Sequence, residues 1–156
     1  GVVEIFLSEG QICVKTDSGE LISRLIEGQY PDYKQIVPKG FSTEAETERT
    51  GLVQALKGAS LFATDNNNVE VEINPATKKI LIKSSSAQVG DSEIEVESGI
   101  EGVKNSIIFN HRYLLDYLNN LADEKVKLRV IDGSSPAIVE PGERGNSRYI
   151  VMPIKT

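Results

Sequence analysis

Apolar and polar residues alternate with the two-residue period of β-strands along the first 26 residues. Residues 2–8, 12–15 and 21–26 each show this alternation, and the turn sequences Ser-Glu-Gly-Gln and Asp-Ser-Gly-Glu separate them. The pattern predicts a three-stranded antiparallel sheet. Because so small a sheet buries too little apolar surface to be stable alone, we expect further chain before Gly1 to complete it. A start at Gly rather than Met is consistent with an excised fragment.

Residues 39–156 show one order of elements twice, a strand, a helix and three strands. In the first copy we predict strands over 41–48, 69–73, 79–84 and 93–97, a helix that Thr50 caps, and a loop of small residues over 84–92. In the second copy we predict strands over 106–109, 125–132, 136–140 and 149–155, and a helix that Asn110 caps. The fold class is therefore α+β, with two helices packed on one face of an antiparallel sheet.

Both helices carry an apolar stripe at helical spacing, which identifies the side that faces the core. In the first helix the stripe consists of Leu52, Val53, Leu56, Ala59, Ser60 and Ala63. In the second helix it consists of Leu114, Leu115, Leu118 and Leu121.

The segment 24–38 links the two patterns and contains Pro31 and Pro38. Each proline fixes its own φ and favours an extended conformation for the residue before it, so we expect a stiff connector. The predicted organisation is an incomplete domain over 1–28, a connector over 29–38 and a complete domain over 39–156. A rigid interdomain linker without further function explains the same spacing.

Composition limits the class of protein. With 39% hydrophobic and 26% charged residues among 156, the chain has globular values, and no apolar run is long enough to span a membrane. The single cysteine, Cys13, excludes an internal disulfide framework and suits a small buried side chain in a reducing compartment. A net charge of −6 argues against a surface covered in phosphate-binding residues but not against a local basic patch.

Candidate catalytic groups are few. His111 is the only histidine, and no nucleophile motif accompanies it, so a structural or solvent-facing role is favoured. Cys and His ligands are too few for a metal site, and no Gly-rich loop that could bind phosphate is present, so no cofactor is expected. The acidic residues Asp91, Glu93, Glu95 and Glu97 share one face of a strand because side chains alternate. They suit a solvated or partner-facing acidic edge, or a carboxylate-using enzyme or carbohydrate-binding domain, which is our alternative hypothesis.

Three sequence stretches, in order along the chain, resemble one family. They are RLIEGQYPDYKQIVP (24–38), FNHRYLLDYLNNL (109–121) and RYIVMPIK (148–155). All three are similar to the bacterial DNA sliding clamp, the beta subunit of DNA polymerase III. The resemblance implies the DNA-clamp fold, with 1–28 as the end of the second clamp domain and 39–156 as the third. It also implies a ring of six domains from two chains, with helices lining the hole.

The resemblance also implies a function. A sliding clamp encircles duplex DNA without sequence preference and confers processivity on the replicative polymerase. It is a non-catalytic accessory subunit of a holoenzyme whose activity is nucleotidyl transfer, and it needs no cofactor. The expected partners are double-stranded DNA, the polymerase III alpha subunit, the clamp loader and repair polymerases, which bind through short linear motifs. The expected location is the bacterial cytoplasm, at the nucleoid.

Carried over by position, the family's peptide-binding pocket corresponds here to residues of the connector, the second helix and the last strands. They are Pro31, Gln35, Ile36, Asn110, Tyr113, Ser134, Pro136, Ile150, Met152, Pro153, Ile154 and Lys155. Gln35 and Lys155 replace arginines that are common in the family, and Ile154 replaces a methionine.

Two further surfaces follow from the resemblance. The dimer interface would use Leu61, Phe62, Asp91, Glu93, Glu95 and Glu97. The DNA-facing cations would be Arg49, Lys57 and Arg112. The alternatives are that Leu61 and Phe62 simply end the first helix and that the cations are ordinary surface charge.

Overall fold

The computed structural model describes residues 1–30, 32–63, 67–142 and 147–155, and the chain divides into two compact units, Gly1–Tyr33 and Lys34–Thr156. The division falls within the predicted connector. A short 3-10 turn over Tyr33–Gln35 marks this boundary.

The first unit is the predicted three-stranded antiparallel sheet, in the order β1 (Glu4–Leu7), β2 (Gln11–Thr16) and β3 (Gly19–Arg24). Cys13 lies in the central strand opposite Phe6 and Ile22, and it is half-buried rather than buried as predicted. Its paired neighbours Phe6 and Ile22 are themselves 55% and 58% exposed, so this face of the small sheet is only partly covered.

The second unit contains the predicted tandem repeat. The first copy consists of β4 (Thr43–Glu48), α1 (Arg49–Ser60), β5 (Asn68–Asn74), β6 (Lys79–Ser86) and β7 (Gly90–Glu97). A short strand that the sequence pattern did not predict, β8 (Gly99–Gly102), follows. The second copy consists of β9 (Asn105–Asn110), α2 (His111–Asn119), β10 (Lys125–Val130), β11 (Ala137–Pro141) and β12 (Tyr149–Val151).

These strands form two antiparallel sheets where we predicted one. The first has the order β12-β11-β10-β4-β8, and the second has the order β7-β6-β5-β9. The opening strand of each repeat therefore joins the sheet that the other repeat builds: β4 pairs with β10, and β9 pairs with β5. The two repeats are interlocked by main-chain hydrogen bonds, and the α+β class is confirmed.

Several predicted boundaries were wrong. Thr50 does not cap α1, because the helix begins at Arg49 directly from β4 and its N-cap residue is Glu48. The predicted loop over 84–92 is mostly strand, since β6 and β7 pair as far as Ser86 and Gly90. The last strand ends at Val151, and Pro153, which has no N–H, cannot donate to a sheet there.

One hydrophobic core joins both helices and both sheets of the second unit. The predicted stripes point into it, with Leu56 and Leu118 fully buried, although Ala55 rather than Ser60 completes the stripe of α1. Asn110 caps α2 as predicted, because its side-chain oxygen accepts a hydrogen bond from the Arg112 N–H at 3.0 Å.

A polar network fixes the start of β4 against the turn between β8 and β9. The side-chain amide of Asn105 donates to Thr43 Oγ1 at 2.8 Å, and the Thr43 hydroxyl donates to the Val103 carbonyl at 2.6 Å. Gly102 has a φ of +103°, and a Cβ there would lie 2.0 Å from the Ser42 carbonyl oxygen. Only glycine therefore allows the chain to turn from β8 so close to β4.

Candidate functional site

The C-terminal strand forms one wall of the candidate groove. In the pairing of β12 with β11, Val151 lies opposite Ala137 and Ile150 opposite Ile138. Val151 is buried in the core, whereas Ile150 is half-buried and Met152 is 56% exposed. Continuing the same register places Pro136 opposite Met152. These two predicted groove positions are the residues that directly flank the last observed pair, Ala137 and Val151, at one end of the two strands.

The residues after β12 run beside β9. The N–H of Ile154 donates to the carbonyl oxygen of Ile108 at 2.8 Å. Because β9 ends at Asn110, where α2 begins, this hydrogen bond places the C-terminal residues near the start of α2. Tyr113, on the first turn of α2, is 56% exposed. The structure therefore brings the predicted residues of α2 and of the C-terminal segment into one neighbourhood.

Two tyrosines that sequence reasoning missed support this region. The rings of Tyr117 and Tyr149 stack with centroids 4.7 Å apart and planes 10° apart, and the Tyr117 hydroxyl lies 3.0 Å from the Ser147 hydroxyl. Burial, followed by the nearby Asp116 carboxylate, raises the pKa of Tyr149. The available signal was the spacing of Tyr113 and Tyr117, which at i and i+4 share one side of the helix.

The remaining predicted groove residues are less closely tied to this cluster. Pro31 lies outside the described residues. Gln35 is exposed and Ile36 is 40% exposed, both in the segment before β4. Lys155 is exposed, and Pro153 is half-buried. The membership of these residues in one groove stays a prediction.

Ser134 belongs to a tight turn before β11. Its N–H and its hydroxyl both donate to Asp132 Oδ1, at 2.8 and 2.9 Å. The Ser134 N–H, with the other donors of this turn, lowers the pKa of Asp132. Ser134 thus shapes the turn that leads to Pro136, and its side chain is exposed.

The strand that carries the four acidic residues, β7, is an edge strand. β7 lies at the end of its sheet, and the side chains of Asp91, Glu93, Glu95 and Glu97 are all exposed and alternate with more buried positions. Glu95 pairs with Lys79. α1 packs against β7, and its C-cap residue Leu61 is 69% exposed, whereas Phe62 is half-buried.

The carboxylates of β7 do not converge. Asp91 and Glu93 border a depression of about 570 Å³ together with Lys83, whereas Glu95 and Glu97 border another of about 400 Å³ beside Gln54. Among the described residues, no group of three or more His, Cys, Asp or Glu side chains could hold a metal ion. The alternative hypothesis of a carboxylate-using enzyme gains no support from this arrangement.

The three predicted DNA-facing cations differ in their surroundings. Lys57 and Arg112 are exposed on α1 and α2. Arg49 is half-buried, and its guanidinium donates to the Asp123 carbonyl at 2.9 Å and to the Leu118 carbonyl at 3.3 Å. Arg49 therefore ties the start of α1 to the end of α2.

His111 has a structural position at the first turn of α2. The residue is 7% exposed, its main-chain N–H donates to the Asn67 carbonyl at 2.9 Å, and its side-chain Nδ1 has no hydrogen-bond partner among the described residues. Burial, and then the positive charge of Arg112, lower the pKa of His111. A histidine that is neutral and enclosed in this way is not placed to exchange protons with a bound substrate.

Within the described part of the chain, no helix is long and apolar enough to cross a membrane.

Comparison with known proteins agrees with the resemblance of the three motifs. Residues 34–155 match the family model of the DNA polymerase III beta subunit, C-terminal domain. The Beta sliding clamp of Staphylococcus aureus is 26% identical over 155 residues, which are 99% of this chain and 41% of that protein. The chain therefore spans about two fifths of the length of such relatives.

Solved structures give the same result for the fold. A DNA polymerase sliding clamp from Pseudomonas aeruginosa superposes with a TM-score of 0.86 at 26% identity, over 99% of this chain and 42% of that one. A DNA polymerase III beta chain from Streptococcus pneumoniae superposes with a TM-score of 0.85 at 30% identity, over 99% of this chain and 41% of that one. The predicted resemblance is confirmed, and the chain belongs to the family of DNA polymerase III beta subunits, of which it carries the C-terminal domain.

Proposed function

We propose that this chain acts as part of a sliding clamp that holds the replicative polymerase on duplex DNA. The observation that carries the proposal is the hydrogen bond from Ile154 to Ile108. It ties the segment after β12 to β9, close to the start of α2. Met152 and Tyr113 on these segments are exposed and Ile150 and Ile154 are half-buried, and together they would form an apolar surface with polar groups at its border. Such a surface suits the capture of short peptides with apolar anchors.

The groove is the surface through which partners would bind. The proposed partners are the polymerase III alpha subunit, the clamp loader and repair polymerases, each through a short linear motif. The wall is largely preformed, because strand pairing holds Val151 and a main-chain hydrogen bond holds Ile154. A preformed groove loses little entropy on binding. The protein itself has no catalytic group in this scheme and needs no cofactor.

The ring is the second part of the proposal. Two chains of the full-length protein would close head to tail, with Leu61, Phe62 and the acidic strand β7 of one chain facing its partner. An exposed leucine beside four exposed carboxylates suits a partner surface that is apolar and basic. In this assignment residues 1–28 end the second domain, 29–38 form the connector and 39–156 form the third domain.

DNA would pass along the helices. Lys57 and Arg112 are exposed and few, which suits loose, sequence-independent contact with phosphates rather than a tight grip. Arg49 would act mainly by holding α1 and α2 together. The proposed location is the bacterial cytoplasm.

The experiment is a calorimetric titration of the chain with an extended peptide that carries Leu and Phe anchors. Replacing Met152 by Ala should weaken binding by about 1–2 kcal/mol if its side chain is a buried anchor in the complex. Lys57→Ala, an exposed change on α1, serves as the control and should bind as the wild type does. If Lys57→Ala abolished binding and Met152→Ala left it unchanged, the groove would be assigned wrongly.

A further inference from the structure

Met152 is the single methionine of the chain, and the structure fixes its backbone on both sides. The residue before it, Val151, is buried and paired with Ala137. Two residues after it, the N–H of Ile154 donates to Ile108. Between these two points the side chain of Met152 is 56% exposed. The backbone of Met152 is therefore anchored on both sides, so the exposure of its side chain does not depend on fraying of the C-terminus.

An exposed thioether reacts with peroxides. A sulfur lone pair attacks one oxygen of hydrogen peroxide, the O–O bond breaks and an S–O bond forms. After proton transfer the second oxygen leaves as water. The sulfur loses two electrons and the peroxide gains them, so no other reactant is required. The product, methionine sulfoxide, is polar and is returned to the thioether by methionine sulfoxide reductases.

We propose that Met152 is an oxidative modification site, and that its conversion to the sulfoxide releases peptides from the groove. The second half of this proposal rests on the proposed function of the groove. The thioether of Met152 is flexible and polarisable, so it makes favourable contacts with an apolar peptide that covers it. Covering a sulfoxide removes water from a strong hydrogen-bond acceptor, and the residues closest to it along the chain, Ile150, Pro153 and Ile154, have apolar side chains.

Cys13 is the other sulfur of the chain that a peroxide could oxidise. It is half-buried in the central strand of the first unit, and its oxidation products up to the disulfide are reversed by thiol reductants. Methionine sulfoxide is not reversed in this way. The two reactions are therefore separated by treating the oxidised protein first with dithiothreitol and then with methionine sulfoxide reductase.

The experiment treats the folded chain with hydrogen peroxide and follows the 152-containing peptide by mass spectrometry. The oxidised protein, after dithiothreitol, is then titrated with the extended Leu- and Phe-bearing peptide. We expect Met152 to gain one oxygen at a rate within about ten-fold of free methionine, because more than half of the side chain is exposed. We expect peptide affinity to fall about five-fold or more and to return after reductase treatment.

Met152→Leu is the matched control, because it keeps a flexible apolar side chain and Cys13 but removes the oxidisable sulfur. It should bind the peptide with and without peroxide equally. Oxidation of Met152 more than about a hundred-fold slower than that of free methionine would overturn the modification site. Ready oxidation with unchanged affinity would overturn its effect on binding. Failure of the untreated chain to bind the peptide would refute the proposed groove and this effect together, while the mass measurement would still decide the modification.

Discussion

The main-chain N–H of Ile154 lies 2.8 Å from the carbonyl oxygen of Ile108 and donates a hydrogen bond to it. Ile108 belongs to β9, at one end of the four-stranded sheet, whereas β12, which precedes Ile154, is at one end of the five-stranded sheet. The C-terminal residues thus leave one sheet and attach to the other. Met152 and Pro153 are therefore the residues that connect the two sheets at this point.

Replacing Ile154 by Pro removes the donor of this hydrogen bond and should weaken peptide binding. Loss of one hydrogen bond lowers stability by about 1 kcal/mol, and the freed C-terminus no longer holds Met152 in place. Ile154→Val is the control, because it keeps the N–H and a branched apolar side chain. Fluorescence titration of both variants measures the difference. Equal affinities of the two variants would show that the attachment to Ile108 does not shape the groove.

Replacing Arg49 by Ala should destabilise the fold more than replacing Arg112 by Ala. The Arg49 guanidinium donates to the carbonyl oxygens of Leu118 and Asp123, whereas Arg112 has an exposed side chain. Hydrogen bonds from charged donors contribute about 1.5–3 kcal/mol, and exposed surface substitutions stay within about 0.5 kcal/mol. Urea unfolding of the two variants checks this. A loss of the same size in both would mean that Arg49 is an ordinary surface cation.

Local chemistry made much of the fold predictable. The Asn110 cap and the leucines of α2 act within a few residues, so the sequence pattern was sufficient to place them. β8 could not be predicted in this way, because Gly99–Gly102 has little strand character of its own and is a strand only through its pairing with β4. The division into two sheets likewise depends on which distant strands pair.

The site was predictable only in part. Motif resemblance named Met152, Tyr113 and Pro136, but spacing alone does not bring residues forty positions apart together. The stacking of Tyr117 on Tyr149 and the hydrogen bond from Arg49 to the Leu118 carbonyl join residues that are distant in sequence. Both depend on tertiary packing, which the sequence pattern does not reveal. For Arg49 the resemblance indicated a DNA contact, whereas the structure shows that two main-chain carbonyls already engage its guanidinium.

Stability should fall as the pH drops from about 7 toward 5.5, because of His111. Burial lowers the pKa of His111 in the folded protein, while in the unfolded chain it stays near its ordinary value of about 6.5. Below that value the unfolded chain binds more protons than the folded one, so the free energy of unfolding decreases with falling pH, by at most about 1.4 kcal/mol per pH unit. Above this pH His111 is neutral in both the folded and the unfolded chain, so it no longer changes the free energy of unfolding.

Urea unfolding at several pH values between 5.5 and 7.5 tests this, with His111→Gln as the control. His111 is the only histidine of the chain, so the variant should lose most of the pH dependence in this window. An unchanged slope in the variant would assign the effect to other groups.

This chain should bind duplex DNA weakly, and its affinity for DNA should fall as the salt concentration rises. The net charge is −6, and few exposed cations lie on the helices. Each phosphate contact contributes about 0.9 to the slope of log affinity against log salt. Lys57→Gln should therefore lower this slope by about 1, whereas Lys39→Gln, an exposed change outside the helices, should leave it unaltered. Tight binding that is insensitive to salt would contradict the assignment of the helix faces.

Reversing charge on the acidic strand should weaken association of the full-length protein. Glu93 and Glu97 are exposed on β7, on the same side as Asp91 and Glu95, and Leu61 is exposed at the end of α1 beside this strand. Opposite charges across an interface chiefly accelerate association and select the partner, and salt screens them. If the full-length protein forms the proposed dimer, the double variant Glu93→Lys, Glu97→Lys should therefore dissociate at protein concentrations where the wild type remains associated, and the difference should shrink at high salt. Sedimentation measures both. Glu101→Lys, at another exposed acidic position on β8, is the control, since it changes the net charge in the same direction, by half as much, at another sheet edge. If Glu101→Lys weakened the dimer as much as the β7 variant does, net charge rather than the acidic strand would govern association.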